Sequence, residues 1–387
     1  PAAPGRSAST PAAPVSGAVS LLLWMLAGTG VAVALGCVPG FHIYNLLAAL
    51  FLAAQALPAG TVAPDRFAAL TAAAVAAWSV AGILPAVFGA VPDESTALML
   101  SPAAAARRRG QGRSAVLTAG AGALGGAMLL LAALPLLGRV LPPLLAVLRP
   151  HFYWILWALI LYLPLSEWPK GGTRGPAGWA RFRDGSTSWC AGLATLLLAG
   201  ALGLILMLRS PFPPDRASLA LGPALIGLFA VPALLQSMLA RPDTLPAESV
   251  PRGLCLRAWI EGTLTGTAGG GIAALLPAVT GGLGSLLAGQ AAAQSDDRSF
   301  LAAQGASRLV YYAGSLLLLA VPGVRLVRGG AAWQLQTLCP TEDPALLPIL
   351  AAGTALGASL AFLALGPLSA CLPRLWSPRR LRAVATA

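Results

Sequence analysis

Charge is what this sequence has least of. Only 10% of its 387 residues are charged, against about 25% in a soluble globular protein, and a soluble globular fold is excluded on that ground. Disulfide support is missing too. The five cysteines, Cys37, Cys190, Cys255, Cys339 and Cys371, are odd in number and lack metal-type pairing. No acid–base cluster and no Walker-type glycine spacing is present, so neither an enzyme nor a resident cofactor or metal is expected. The net charge of +12 would point to nucleic acid in a soluble chain. Here the arginines cluster between apolar runs, which is the pattern of cytoplasmic loops in a membrane protein. The expected partner is the lipid bilayer, with no nucleic acid.

Apolar length is what the chain has instead. It is 57% hydrophobic, with a mean hydropathy of +0.76. Charge-free runs cover residues 7–64, 67–92, 114–138, 150–166, 185–208, 217–240, 262–295 and 345–373. A bilayer-spanning helix needs roughly 20 apolar residues. Most runs reach that length, and the first and seventh exceed it far enough to hold a span plus a broken hairpin. An all-α polytopic protein of the cytoplasmic membrane is expected. It divides into a disordered tail (1–17), a first membrane repeat (18–166), a polar linker (167–185), a second repeat (186–373) and a basic C-terminal tail (374–387). The first span is read as uncleaved. Arg107, Arg108, Arg109 and Arg113, and at the other end Arg374, Arg379, Arg380 and Arg382, are expected to face the cytoplasm. Counting each run as one crossing puts the two groups on opposite sides, so at least one run must be re-entrant or doubled. His151-Phe152-Tyr153-Trp154 with Trp157 reads as an interfacial aromatic belt, and the runs at 185–208 and 217–240 read as scaffold.

Two interrupted stretches organise the rest. In the first run, Pro39-Gly40-Phe41-His42-Ile43-Tyr44-Asn45 separates two apolar arms; in the second half, Leu276-Pro277-Ala278-Val279-Thr280-Gly281-Gly282 does the same. Proline removes a backbone donor and clashes with the preceding turn, and glycine permits angles other residues avoid. Broken helices at membrane depth are tolerated where protein or water satisfies the freed groups. Paired breaks in two halves are the sequence pointer to a transport site. Asp93-Glu94-Ser95-Thr96 sits between apolar segments and is read two ways, as a cation or substrate site or as a water-facing turn in which Asp93 or Ser95 caps the next helix. Arg308 lies well inside an apolar helix, where its charge costs roughly 2.5 kcal/mol or more. Its alternative is snorkelling to the headgroups.

These stretches carry a resemblance. Gly36-Cys37-Val38-Pro39-Gly40-Phe41-His42 resembles the first G-x-x-P-G element of the large membrane subunit (TctA) family of tripartite tricarboxylate transporters. Gly89-Ala90-Val91-Pro92-Asp93-Glu94-Ser95-Thr96-Ala97-Leu98, running on to Arg109-Gly110-Gln111-Gly112-Arg113-Ser114-Ala115, is similar to a second family signature. Leu276-Pro277-Ala278-Val279-Thr280, through Asp297 to Gly305-Ala306-Ser307, resembles the repeat of the first element. The similarity spans most of residues 20–330 and is nearest the shorter, often stand-alone members. Ala278 stands where the pattern has glycine, and Arg308 about where it tends to carry asparagine. The resemblance implies uptake of tricarboxylates, with a periplasmic solute-binding protein and a small membrane subunit as partners. A homodimer is a further candidate assembly.

The reading that follows is a secondary transporter of two inverted repeats with broken or re-entrant helical hairpins. It moves a small organic anion, a carboxylate, across the cytoplasmic membrane, coupled to Na⁺ or H⁺. Free half-helix N-termini favour an anion. The expected substrate contacts are Pro39, Gly40, His42, Asn45, Thr280, Gly281, Gly282, Ser307 and Arg308. Asp93, Glu94, Ser95 and Thr96 are the expected coupling-ion residues. The rival reading is translocation of an anionic lipid, such as a polyprenyl-phosphate, between leaflets.

Overall fold

The computed structural model describes residues 14–58, 60–166, 168, 178–209, 212–213, 219–239, 246, 248–249 and 253–375. The expected tail at 1–17, linker at 167–185 and basic end at 374–387 fall largely outside them, and Arg379, Arg380 and Arg382 wholly so. Among the described residues there are helices and no strand. They are α1 (Pro14–Gly36), α2 (Ile43–Ala56), α3 (Pro64–Ala81), α4 (Leu100–Arg108), α5 (Gly112–Leu148), α6 (Phe152–Ser166) and α7 (Trp179–Leu208), then α8 (Leu221–Leu225), α9 (Val231–Leu239), α10 (Leu256–Leu275), α11 (Gly281–Ala291), α12 (Asp297–Ala320), α13 (Gly329–Leu338) and α14 (Leu346–Leu375). Among the described residues, five stretches are long and apolar enough to cross a membrane: Gly17–Gly36, Pro64–Gly89, Gly112–Ser166, Trp179–Leu206 and Leu346–Pro373.

Three details differ from the run-by-run expectation. The runs at 114–138 and 150–166 are not separate: α5, a single turn at Arg149–His151 and α6 follow one another without a break. Pro135, Pro142 and Pro143 are carried inside α5, as membrane helices allow when neighbours re-satisfy the freed carbonyls. The end of the expected linker, from Trp179, already belongs to α7. The run at 217–240 is interrupted, where described, by a π turn at Ile226–Ala230 between α8 and α9.

Two helices form the centre. Every residue of α3 from Phe67 to Ala81 is buried, and nearly all of α12 from Ser299 to Leu319. Their side chains explain this. The run Thr71-Ala72-Ala73-Ala74-Val75-Ala76-Ala77 in α3 and Ala302-Ala303-Gln304-Gly305-Ala306-Ser307 in α12 present little but backbone. Lipid tails give no hydrophobic drive for helix association, so small residues that let backbones approach closely set the packing. Gly262, Gly266 and Gly270 of α10, one turn apart, press on the carbonyls of Ser299, Ala303 and Ser307. Gly122 of α5 presses on Ala302, and Gly357 of α14 presses in the same way on Ala73 of α3. The pairings run in parallel: α1 and α14 pack on α3 as α10 and α5 pack on α12, and α1 touches α14 as α10 touches α5.

Both expected breaks fall between helices. Pro39 lies in the turn between α1 and α2, and Pro277 in the turn between α10 and α11. Each proline is followed by a left-handed residue, Gly40 at φ 82° and Ala278 at φ 63°. Three residues past each proline a side chain caps the next helix. His42 Nδ1 accepts from the Tyr44 amide at 3.2 Å. Thr280 Oγ1 accepts from the Leu283 amide at 3.4 Å. Ala278 is the strained member, because a left-handed L-residue costs about 1–2 kcal/mol. Glycine removes that cost and returns part of it as chain entropy. Ala278→Gly is therefore expected to stabilise the protein by about 0.5–1 kcal/mol, read as a rise in thermal midpoint in detergent. A lower midpoint would mean that the turn is not left-handed.

Candidate functional site

The two breaks meet the central helices at one buried cluster of charge. Arg308 projects from α12 and has no exposed surface. Its NH1 forms an ion pair with Asp93 Oδ2. Its guanidinium carbon lies 4.2 Å from the centre of the Trp78 ring on α3, a cation–π arrangement strengthened by desolvation. Snorkelling to the headgroups is thereby overturned, since the head group is enclosed by protein on α3 and α12. The other two guanidinium nitrogens, Nε and NH2, are buried with no hydrogen-bond partner among the described residues.

Asp93 is both a cap and a counter-ion. After α3, a π turn at Pro85–Gly89 ends at Ala90 in the left-handed region, φ 53°. The chain then turns through Pro92 into 93–96. Asp93 Oδ1 accepts from the Ser95 and Thr96 amides, both at 2.9 Å, and from Thr96 Oγ1 at 3.1 Å. Ser95 and Thr96 are buried. One oxygen of Asp93 caps the turn at 93–96 and the other meets Arg308.

Glu94 is held by neutral donors. His42 Nε2 lies 3.1 Å from Glu94 Oε2, and the Tyr312 hydroxyl donates to Oε1. Because His42 Nδ1 accepts the Tyr44 amide proton, the hydrogen-bond pattern assigns the ring proton to Nε2 and leaves the imidazole neutral. The Tyr312 oxygen in turn accepts from Ser95 Oγ at 3.3 Å. In this arrangement the cluster holds one positive and two negative side chains.

The second break closes the cluster from the other half. Ser307 Oγ donates to the Gly281 carbonyl at 2.6 Å, and Gln304 Nε2 to that of Gly282 at 3.4 Å. A Cβ on Gly281 would stand 3.2 Å from Arg308 Cα, and one on Gly282 only 2.7 Å from the Ser95 carbonyl oxygen. Arg328 NH2 donates to the Val279 carbonyl at 2.9 Å and leans towards the Tyr311 ring. His42, Asp93, Glu94, Ser95, Thr96, Gly281, Gly282, Ser307 and Arg308 thus come together. Pro39 and Thr280 shape the turns, and Gly40 packs against Ala230. Asn45 is placed elsewhere, against Gly222 of α8.

Sequence reasoning missed Trp78, Gly82 and Tyr312. Tyr312 follows Arg308 by one helical turn, so the two had to share a face. Trp78 is the single tryptophan of a run made mostly of aliphatic and small residues, and a buried indole N–H needs an acceptor. It finds the Phe41 carbonyl, in the first break, at 3.2 Å. The scaffold reading of 217–240 also missed that Leu225, Ile226 and Ala230 wall a narrow recess beside the cluster, facing Phe41, His42, Trp78, Gly82 and Asp93.

Among the described residues no group of three or more potential metal ligands of the His, Cys, Asp and Glu types is present. No curated protein and no solved structure matches the chain. The model of the Tripartite tricarboxylate transporter TctA family matches residues 22–377, from within α1 through both breaks and the buried cluster to the end of α14. With that match covering nearly the whole chain, the protein belongs to the Tripartite tricarboxylate transporter TctA family.

Proposed function

We propose that this chain is the membrane-spanning carrier of a small organic anion, a carboxylate, and that it works as a secondary transporter of the cytoplasmic membrane coupled to Na⁺ or H⁺. One observation carries the reading. Arg308 sits where the two breaks meet, and it keeps an unpartnered Nε–NH2 edge, the edge of a guanidinium that grips a carboxylate with two parallel bonds. Asp93 and Glu94 are the residues proposed to answer the coupling ion. The cluster's excess negative charge favours a cation there.

The two-repeat architecture belongs to the same proposal. It is supported by the parallel packing of α1 and α14 on α3 and of α10 and α5 on α12, and by the matched turns at Pro39–Gly40 and Pro277–Ala278. Half-helices meeting at a central site are the architecture in which one repeat rocks against the other. As partners we propose a solute-binding protein and a small membrane subunit.

Uptake of radiolabelled carboxylates into proteoliposomes, driven by an imposed Na⁺ or pH gradient, tests this. Arg308→Lys keeps the charge but loses the fork, and uptake is expected to fall by about tenfold or more, roughly one lost charge-assisted bond, at equal reconstituted protein. Equal uptake by wild type and the lysine variant removes Arg308 from the site. No carboxylate uptake alongside transfer of an anionic lipid between leaflets replaces the proposal with lipid translocation.

A further inference from the structure

We infer that the coupling ion is a proton, that His42 Nδ1 is the atom that takes it, and that taking it releases the N-terminal cap of α2 at the first break. The inference rests on the transport reading above and deepens it by choosing between Na⁺ and H⁺.

The carboxylate oxygens of the cluster are all turned towards hydrogens. Asp93 Oδ1 accepts from two amides and the Thr96 hydroxyl, and Oδ2 meets Arg308. Glu94 Oε1 accepts from the Tyr312 hydroxyl and Oε2 from His42 Nε2. A hard cation such as Na⁺ is held by several oxygen lone pairs at once, and here it would face N–H and O–H groups at each of those oxygens. A proton asks for one lone pair on a base. His42 Nδ1 supplies it, since its occupant is a single backbone amide, that of Tyr44, at 3.2 Å. His42 is buried and lines the recess beside the cluster. The free volume of that recess, about 20 Å³, admits a water that can carry a proton to the ring.

The charged and titratable groups around His42 are Glu94 and Asp93 from the turn after α3, Tyr312 and Arg308 from α12, and Tyr44 on its own helix. Tyr311 and Arg328 stand behind Tyr44. Arg308 is already answered by Asp93. Glu94 is not answered by any cation, because its donors are neutral. A proton on His42 therefore cancels the one negative charge that Asp93, Glu94 and Arg308 leave in excess, and it does so in contact with Glu94.

The same proton breaks the cap. Addition of H⁺ from water to the Nδ1 lone pair forms an N–H bond, while Nε2 keeps its own proton and its contact with Glu94. Imidazolium has two donors and no acceptor. Nδ1–H and the Tyr44 N–H would then point at each other across 3.2 Å, with a positive charge set at the positive end of α2. The ring and the amide must part. Protonation is in this way tied to the backbone of the first break, where Gly40 makes the turn between α1 and α2.

The chain has only two histidines. Nitrogen-15 histidine spectra of the full chain in nanodiscs, with the exposed His151 replaced (His151→Gln), therefore report on His42 alone. Between about pH 8 and about pH 5, the window in which imidazole ordinarily changes charge, Nδ1 is expected to pass from unprotonated to protonated. Over the same window hydrogen exchange in the first turn of α2, corrected for the intrinsic rate, is expected to speed up about fivefold, the loss of one cap. His42→Asn keeps a capping oxygen but takes no proton. It is expected to leave α2 equally protected at both ends of the window and to lose accumulation of radiolabelled citrate or succinate driven by a pH gradient. Exchange of the same compounds across the membrane at equal pH is expected to persist. An Nδ1 that stays unprotonated while a pH gradient drives wild-type uptake overturns the inference and leaves the carrier reading standing. Uptake driven by a Na⁺ gradient at equal pH and clamped membrane potential does the same. No accumulation of either compound under any gradient overturns the inference and the transport reading together.

Discussion

Replacing Arg308 by methionine is expected to cost about 3–5 kcal/mol of stability and to abolish uptake, while replacing Asp93 by asparagine in the same chain restores most of the stability and none of the uptake. The asymmetry follows from burial. Arg308 has no exposed surface and Asp93 very little, so removing one partner leaves the other as an uncompensated charge in a medium that solvates it poorly, and that is the source of the 3–5 kcal/mol. Removing both charges leaves none stranded. Methionine fills most of the volume under Trp78, and asparagine keeps an oxygen for the Ser95 and Thr96 amides, so the turn at 93–96 survives. Transport does not recover, because the fork that holds substrate is gone. The check is a double-mutant cycle, with thermal unfolding in detergent and uptake measured for all four proteins. Residues in direct contact are expected to show strong non-additivity. A double variant destabilised by the sum of the two single losses would mean that the pair is not the structural unit described here.

How the cluster was legible, and where it was not, depends on the range of the interaction involved. Pro39 and Pro277 announce themselves because a proline's effect is local: it removes a donor from its own turn. Arg308 announces itself because a charge in an apolar helix is costly wherever it ends up. What neither can tell is the partner. Asp93 and Arg308 are far apart in the chain, and their meeting depends on how α3 and α12 pack. That packing is set by glycines and alanines that look like ordinary low-complexity apolar sequence. The neutral His42 was equally out of reach. Its state is fixed by the Tyr44 amide at its Nδ1, a consequence of the α2 cap geometry and not of residue type. Asn45 fails for the opposite reason: it sits near the first break in sequence, but helical rotation carries it to the α8 side. The wall formed by Leu225, Ile226 and Ala230 has no chemical signal at all, since apolar residues facing a recess read like apolar residues facing lipid.

The small residues themselves give the second large expected effect. Gly305→Ala, a change of one methyl group, is expected to destabilise the protein by about 3 kcal/mol, at the upper end for overpacking. A Cβ on Gly305 would run into the Ala119 carbonyl of α5. Backbone cannot rotate out of the way as a side chain can, so α5 and α12 must separate along their contact. Separation loosens the neighbouring approach of Gly122 to Ala302, and it moves Arg308, one turn further along α12, relative to Asp93. Gly271→Ala supplies the control within α10. No neighbouring atom lies within 4 Å of where that methyl would go, and alanine is the better helix former by about 1 kcal/mol. The control is expected to melt at or above the wild-type temperature while Gly305→Ala melts well below it or elutes as aggregate in size-exclusion chromatography. If helix propensity alone governed these positions, both substitutions would stabilise. A Gly305→Ala protein as stable as Gly271→Ala would therefore show that α5 and α12 are not in backbone contact, and the placement of Arg308 against Asp93 would lose its support.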